Sequence, residues 1–182
     1  MCEGQLDVIA LHRAGFDHAV APQGTAFTAE QAQVLRRYAG RVLLAFDGDE
    51  AGAKAARRAL ELLLPLDFEV SMVAFPPGQD PDGLFAAGGR AAVAELLETA
   101  CDFFDAVCRQ AAGADGADSP WGRRRIADAV LPLVALIGNG VTRAAYCTRL
   151  AQSLAMPEET VFTELYRLRR TPLRTTMGGG IS

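Results

Sequence analysis

Several features that mark common protein classes are scarce or missing in this sequence of 182 residues. It holds two histidines and four cysteines, and Cys2, Cys101, Cys108 and Cys147 show neither CxxC nor Cys/His zinc-site spacing. No apolar run has the length of a membrane span, and no basic segment followed by an apolar stretch marks a secretory signal. We therefore expect a cytoplasmic protein without a membrane partner, whose cysteines are free thiols.

Charge is distributed unevenly along the chain. Residues 1–105 hold 8 Lys/Arg against 16 Asp/Glu, whereas residues 106–182 hold 10 against 6. The acidic first part argues against simple electrostatic binding of nucleic acid there and suits bound cations. Hydrophobic residues make up 50% of the chain, which is enough for the core of one domain, or of one domain with a small appendage.

The first half of the sequence alternates between strand and helix patterns. Short apolar segments predict three strands, at residues 18–22, 41–46 and 69–75. A helix is predicted from Thr28, which with Gln31 forms a capping box, and a second helix over residues 50–65. This alternation predicts an α/β fold with a parallel sheet flanked by helices.

After about residue 90 the pattern is helical only, which predicts a following all-α subdomain. Helices are expected over residues 91–112 and near residues 123–137, 141–154 and 157–170. The expected core of the last helices is Leu150, Leu154, Val161, Leu165 and Leu168. The predicted division is an α/β domain over residues 1–90, a helical subdomain over residues 91–170 and a disordered tail over residues 171–182.

Three pairs of carboxylates stand out in the acidic part. They are Glu3 with Asp7, Asp47 with Asp49, and Asp80 with Asp82. The last two pairs follow a predicted strand, and residues two apart in extended chain point the same way. Because the carboxyl ends of parallel strands share one edge of a sheet, we expect all three pairs to converge there. Such crowding is costly unless cations offset it, and oxygen ligands favour Mg²⁺ or Mn²⁺ over zinc.

The same residues carry a resemblance to a known family. The stretches "EGQLDVIALHRAGFDHAVAPQGTAFTAEQAQVLRRY", "VLLAFDGDEAGAKAARRALELLLP" and "GQDPDGLF" resemble the Toprim catalytic core of bacterial DNA primases of the DnaG type. The end, "NGVTRAAYCTRLAQSLAMPEETVFTEL", resembles the helical subdomain that follows it. Toprim domains have a Glu after the first strand and a DxD after a later one, which match Glu3, Asp47 and Asp49.

The resemblance implies a DNA-directed RNA polymerase that makes short RNA primers from NTPs on single-stranded DNA by two-metal nucleotidyl transfer. It implies Asp47, Asp49 and Asp82 as metal ligands, and Glu3 as a ligand or as the group that orients the attacking oxygen. Asp7 and Asp80 would act directly or through water. Lys54 and Arg57 are possible phosphate contacts, and an ordinary solvated helix face explains them equally well.

The chain also departs from the family pattern. Gln5 stands where the family usually has an aromatic residue. We expect the zinc domain, the basic half of the polymerase core and the helicase-binding domain that the resemblance implies to lie outside this chain, so the replicative helicase is expected to bind outside it. Only Met1 and Cys2 precede Glu3, so the first strand is expected to be missing. We therefore expect a fragment that is inactive alone, with a gap or an open edge in its sheet.

Two alternative functions remain open on the sequence. One is a Toprim-type nuclease or topoisomerase, although Tyr38, Tyr146 and Tyr166 carry no signal of a nucleophile. The other is a non-catalytic DNA-binding or docking module in the last helices, suggested by basic residues near the chain end and by the run at residues 123–125. A nucleoid-associated location follows from either DNA-directed function.

Overall fold

A computed structural model describes residues 1–22, 26–75, 81–113 and 116–170 of the chain. Within these ranges it has three strands, β1 (Arg41–Phe46), β2 (Glu69–Ala74) and β3 (Cys101–Asp102). The helices are α1 (Gln5–Arg13), α2 (Ala29–Arg36), α3 (Glu50–Leu63), α4 (Pro81–Glu98), α5 (Phe103–Ala112), α6 (Pro120–Leu136), α7 (Gly140–Ser153) and α8 (Glu158–Arg170). The fold is therefore α/β with a helical second half, as predicted. The predicted tail and Asp80 lie outside the described residues.

The sheet has the order β1-β2-β3. β1 and β2 are parallel, with Arg41 opposite Glu69, and β3 is antiparallel to β2. The start of the chain lies on the other side of β1. Met1 N donates to Leu43 O (2.6 Å), and Ala45 N donates to Met1 O (2.8 Å). Met1 and Cys2 therefore occupy the position beside β1 where the sequence analysis expected a missing strand.

Three sequence predictions need correction. Residues 18–22 do not form a strand, although Val20 O accepts a hydrogen bond from Cys2 N (3.0 Å). Residues 91–112 do not form one helix, because α4 ends at Glu98 and α5 begins at Phe103. Asp102 is responsible for the new start, since its Oδ1 accepts from Phe104 N (2.7 Å) and caps α5. Cys101 and Asp102, in the connection between these helices, pair with β2, so the strands do not stop before residue 90.

Other local predictions are confirmed. Thr28 and Gln31 form the predicted capping box, with hydrogen bonds of 3.3 and 3.0 Å between them. The apolar centre of β1 is buried beneath α3, whose buried positions are mostly Ala and Leu. The predicted core residues of the last helices are buried, except that Leu168 is partly buried: Leu150, Leu154, Val161 and Leu165.

The helical half packs directly on the α/β half. One hydrophobic cluster contains residues of β1, α3 and β2 together with residues of α5 to α8. Two polar contacts reinforce it. Arg57 Nη1 of α3 donates to Ala129 O of α6 (2.9 Å), and Asn139 N donates to Asp67 Oδ1 (2.8 Å). The helical half thus packs against β1 and α3, the two elements on either side of the DxD motif. No helix in the described ranges is long and apolar enough to cross a membrane.

Candidate functional site

Glu3 lies at the carboxyl end of β1, although it is far from that strand in sequence. Its position follows from the pairing of Met1 and Cys2 beside β1, which leads the chain to this edge of the sheet. Glu3 Oε1 accepts a hydrogen bond from Asp47 N (3.1 Å). The backbone of the first Asp in the DxD motif therefore orients the carboxylate of Glu3.

Gly52 makes this arrangement possible and was not identified from the sequence. A Cβ at this position would lie 2.2 Å from Asp47 O and 2.8 Å from Glu3 Oε1. Only glycine lets the first turn of α3 approach the end of β1 so closely. The available signal was a single glycine inside an alanine-rich helix, where it costs about 1 kcal/mol relative to Ala.

Asp7 is the one buried charged residue of the described chain, with 8% of its surface exposed. It lies in the first turn of α1, where its Oδ2 accepts from Gly4 N (3.0 Å). Glu3, the other member of this pair, lies outside the helix because it precedes α1. Asp7 fixes the turn that carries the chain from Glu3 into the helix.

Asp49 is the N-cap of α3. Its Oδ1 accepts from Gly52 N (2.8 Å), and the side chain is exposed. The two predicted phosphate contacts on α3, Lys54 and Arg57, have partners already. Lys54 Nζ lies 2.6 Å from Glu50 Oε1, and half-buried Arg57 bonds to α6. Their role as phosphate contacts stays a prediction, for which Lys54, on the exposed face, is better placed than Arg57.

Asp82 lies in the first turn of α4 and is exposed. The extended chain expected for the pair Asp80 and Asp82 is wrong for Asp82, because Pro81 is the first residue of the helix. Proline is favoured there since its φ suits the first turn and no N–H partner is needed. Asp80, the other member of this pair, lies outside the described residues.

These carboxylates are distributed over two adjoining cavities. The first has a volume of about 700 Å³ and is lined by four of the six predicted residues: Glu3, Asp7, Asp47 and Asp82. The second, of about 950 Å³, is lined by Asp47, Asp49, Lys54 and Arg57 among others. Asp47 lies between the two. In the ranges that the structure covers, no three His, Cys, Asp or Glu side chains are close enough to hold one ion.

The Cys2 thiol, close to Asp7 and Asp47, does not compete with the carboxylates for the chemistry. Burial, with smaller contributions from the nearby Asp7 and Asp47, raises the pKa of Cys2 to about 11, so the thiol stays protonated at neutral pH. All four cysteines are free, as predicted, although Cys101 and Cys108 are only partly buried.

Tyr146 is a structural residue. Burial raises its pKa, and its hydroxyl donates to Asp102 Oδ2 at 2.6 Å, which raises it further. A phenol so strongly held in its protonated form is a poor nucleophile. Arg149 completes this group through Asp105, whose two oxygens both lie 2.6 Å from its Nη2. The group connects α5 to α7.

Two family models match this chain. A family model described as Toprim-like matches residues 1–85. A model described as the DnaB-helicase binding domain of primase matches residues 111–159. The second match corrects the expectation that the helicase-binding region lies wholly outside this chain. The expectation was wrong because the helical half contains no short motif that indicates helicase binding. Its apolar periodicity predicts helices and nothing about their partner.

Individual DNA primases are also similar to this chain. The chain is 31% identical over 192 residues to the DNA primase of Pasteurella multocida, covering 97% of this chain and 33% of that protein. It is also similar to a DNA primase domain from Pseudomonas aeruginosa, with TM-score 0.78 and 32% identity over 90% of this chain and 52% of that one. A DnaG primase catalytic domain bound to ssDNA gives TM-score 0.70 and 31% identity, over 87% of this chain and 51% of that one.

The chain spans about a third of the length of the curated relative and about half of the solved domains. Within that span, both the α/β half with its DxD motif and the helices after it have counterparts. The chain therefore belongs to the family of bacterial DNA primases of the DnaG type.

Proposed function

We propose that this chain provides part of the active site of a primase, which synthesises short RNA primers from NTPs on single-stranded DNA during replication. This part is the carboxylate edge, by which we mean Glu3, Asp7, Asp47, Asp49 and Asp82 around the carboxyl end of β1. The observation that carries the proposal is that Glu3, Asp7, Asp47 and Asp82 line one cavity at the carboxyl end of β1. The DNA template is supported by the relative whose catalytic domain binds ssDNA.

The donor atoms of this edge fit Mg²⁺ or Mn²⁺, which prefer carboxylate oxygen. Mg²⁺ is usually held by one or two carboxylates, with substrate phosphates and water completing the shell, so a cluster of three is not required. We assign Asp47, Asp49 and Asp82 as ligands, with Asp7 and Asp80 acting directly or through water. Bound ions would stabilise the negative charge on the transferred phosphoryl oxygens.

The chain itself would contribute position and charge rather than a nucleophile. In nucleotidyl transfer the primer 3′-hydroxyl attacks the α-phosphate, and pyrophosphate leaves. Glu3 is oriented by the N–H of Asp47, which engages Oε1. Its second oxygen would accept a hydrogen bond from the attacking hydroxyl and so orient it. Asp49 is fixed in the same way by Gly52 N, so the geometry of the edge is set by the backbone.

We also propose that residues 111–159 contact the replicative helicase, on the strength of the family model that covers them. The boundary between the catalytic and helical parts is proposed at the break in α4, where Gly89 has φ 61° and ψ −154°. A helix interrupted at a glycine is a natural place for one unit to end. We propose a cytoplasmic, nucleoid-associated location, which follows from these partners.

A chimera tests the catalytic proposal. Residues 1–170 would replace the corresponding region of the Pasteurella multocida primase, and primer synthesis would be measured with Mg²⁺, NTPs and single-stranded DNA. We expect RNA product from the chimera and none from the chain alone. Asp47→Asn in the chimera should abolish product, whereas Asp118→Asn, an exposed acid away from the edge, should not. A chimera that folds and binds template but gives no product would refute the proposal.

A further inference from the structure

Asp82 is carried by a helical segment that is too short to be stable by itself. α4 is interrupted at Gly89, whose φ of 61° and ψ of −154° are not helical, so the part that carries Asp82 covers residues 81–88. We call this part the Asp82 segment. Helices shorter than about 12 residues are marginal in water, and this one begins with proline and contains two glycines, Gly83 and Gly88. Contacts with the rest of the protein must therefore set its direction.

The Asp82 segment runs beside α1 and meets it at both ends. At one end, Asp82 and Asp7 line the same cavity. At the other end, Arg90 follows the break in α4 and donates from Nη1 to the carbonyl oxygen of Ala14, the C-cap of α1, at 2.6 Å. Asp7 precedes Ala14 by seven residues and Asp82 precedes Arg90 by eight, so the two elements run in the same direction. Arg90 therefore joins the end of α1 to the end of the Asp82 segment.

The backbone leaves a place into which the guanidinium of Arg90 fits. Gly15 has φ +84°, and a Cβ at this position would lie 2.0 Å from Arg90 Nη1. Only glycine combines this backbone conformation with room for the guanidinium. The Cζ atom of Arg90 also lies 5.3 Å from the ring centre of Phe16. A guanidinium can donate a hydrogen bond and lie over an aromatic ring at the same time, so both contacts fix its position.

A second arginine makes the reverse contact, from α1 to the Asp82 segment. Arg13 lies in the last turn of α1, and its Cζ is 5.2 Å from the ring centre of Phe85. Phe85 and Leu84 pack against a hydrophobic cluster that contains Leu11 of α1, but both are only partly buried. Apolar packing therefore holds this segment incompletely, and the arginine contacts add to it.

We propose that Arg90 is a positioning residue for the metal site, because it holds the Asp82 segment on α1 and so fixes Asp82 relative to Glu3 and Asp7. The inference rests on the proposed function, which assigns Asp82 as a metal ligand. Asp82 and Gly88 are about 9 Å apart along the segment, and Arg90 lies beyond it, so we assign Arg90 no contact with the ion. Since Mg²⁺ demands nearly ideal octahedral geometry at short distances, a small rotation of the segment would weaken binding.

Mn²⁺ binding to the full chain, followed by electron paramagnetic resonance, tests the role of Arg90. Arg90→Gln should bind Mn²⁺ about 3- to 10-fold more weakly than the parent, because residues that orient metal ligands affect affinity without contacting the ion. Arg90→Lys should lose less, because its ammonium can still donate to Ala14 O. Arg37→Gln is the matched control and should bind as the parent does, since Arg37 is an exposed arginine at the end of α2.

Double variants separate positioning from general stability. In an Asp82→Asn background, Arg90→Gln should cause no further loss of Mn²⁺ affinity, because the ligand that it positions has already been changed. In an Asp49→Asn background, Arg90→Gln should cause the same loss as in the parent. An arginine that only stabilises the fold would weaken binding equally in both backgrounds. Circular dichroism would establish that each variant is folded, and Arg90→Lys gives the same comparison if Arg90→Gln does not fold.

The results distinguish failure of this inference from failure of the proposed function. Parent-like binding by Arg90→Gln, or equal losses in the two backgrounds, would overturn the inference while Mn²⁺ binding by the parent still supported the metal site. Absence of Mn²⁺ binding by the folded parent would contradict the proposed metal site, and the positioning role of Arg90 with it.

Discussion

Carboxylates are held in two different ways in the two halves of this chain. At the end of β1, the hydrogen bonds that hold Glu3 and Asp49 come from backbone N–H groups. In the helical half, Asp102 and Asp105 lie beside the guanidinium of Arg149, at 3.8 and 2.6 Å. A backbone amide orients a carboxylate but leaves its full negative charge in place, whereas a guanidinium also neutralises it.

We interpret this difference as a division of roles, in which the carboxylates at the end of β1 bind ligand and those of the helical half stabilise the fold. The helical carboxylates are used inside the protein, where they join α5 to α7. Those at the sheet edge are fixed in direction while their charge stays available to a cation from outside. We therefore expect substitutions in the helical half to reduce the free energy of unfolding, and charge-removing substitutions at the edge to reduce ligand binding instead.

The largest effect on stability is expected from Asp102→Ala. The substitution removes the N-cap of α5, the acceptor for the Tyr146 hydroxyl and a partner of Arg149. We expect a loss of about 3 kcal/mol in the free energy of unfolding, measured in urea. Asp118→Ala, in the exposed loop before α6, is the control and should cost under about 0.5 kcal/mol. Equal effects of the two would contradict the structural role of this group.

Gly52→Ala should have the next largest effect. Its Cβ would meet Asp47 O at 2.2 Å, so the start of α3 must shift, at a cost of about 2 kcal/mol. Gly140→Ala offers a matched control at the start of another helix, because the nearest atom there is 3.7 Å away. That control should be neutral or slightly stabilising. Thermal unfolding measures both, and a harmless Gly52→Ala would show that the close approach is unimportant.

Asp49→Asn should hardly change stability, since Asn caps a helix about as well as Asp. Asp105→Asn, in contrast, loses the charge of a close ion pair with Arg149 and should cost about 1 kcal/mol. Urea unfolding at equal pH and salt compares the two. A larger loss for Asp49→Asn than for Asp105→Asn would remove the distinction between the two halves.

An effect common to both halves is absent at neutral pH and is expected only at alkaline pH. Burial raises the pKa of Cys2 and of Cys108 to about 11, above the ordinary thiol value of 9.0. The unfolded chain loses these protons first, so the stability they provide is complete below about pH 9 and falls as pH rises towards about 11. Cys108→Ala should make this fall shallower in urea unfolding measured across that range, and an unchanged slope would contradict it.

The sequence predicts well where local rules decide the structure. The capping box of Thr28 and Gln31, the apolar centre of β1 and the DxD motif at its end all follow from short-range patterns. Each rests on contacts between residues close in the chain or on a strong period of hydrophobicity. The placement of Asp47 at a sheet edge could therefore be predicted.

Long-range contacts could not be predicted in this way. Met1 lies beside Leu43, and β3 has only two residues, too few for any periodic signal. The role of Gly52 depends on the distance to Glu3, which follows only from folding of the whole edge. An acidic residue before two phenylalanines is a signal for the Asp102 cap. The helical spacing of apolar residues on both sides of Asp102 favoured a single helix instead, and that prediction was wrong.

Direct measurement of divalent ion uptake tests the central claim, that the sheet edge holds metal through its carboxylates. Mn²⁺ binding to the full chain would be followed by electron paramagnetic resonance, with Mg²⁺ as competitor. The account predicts saturable binding by the parent and by Asp105→Asn, and binding reduced at least about tenfold by Asp47→Asn, which removes a charged ligand. Absence of binding by the folded parent, or equal binding by all three proteins, would contradict it.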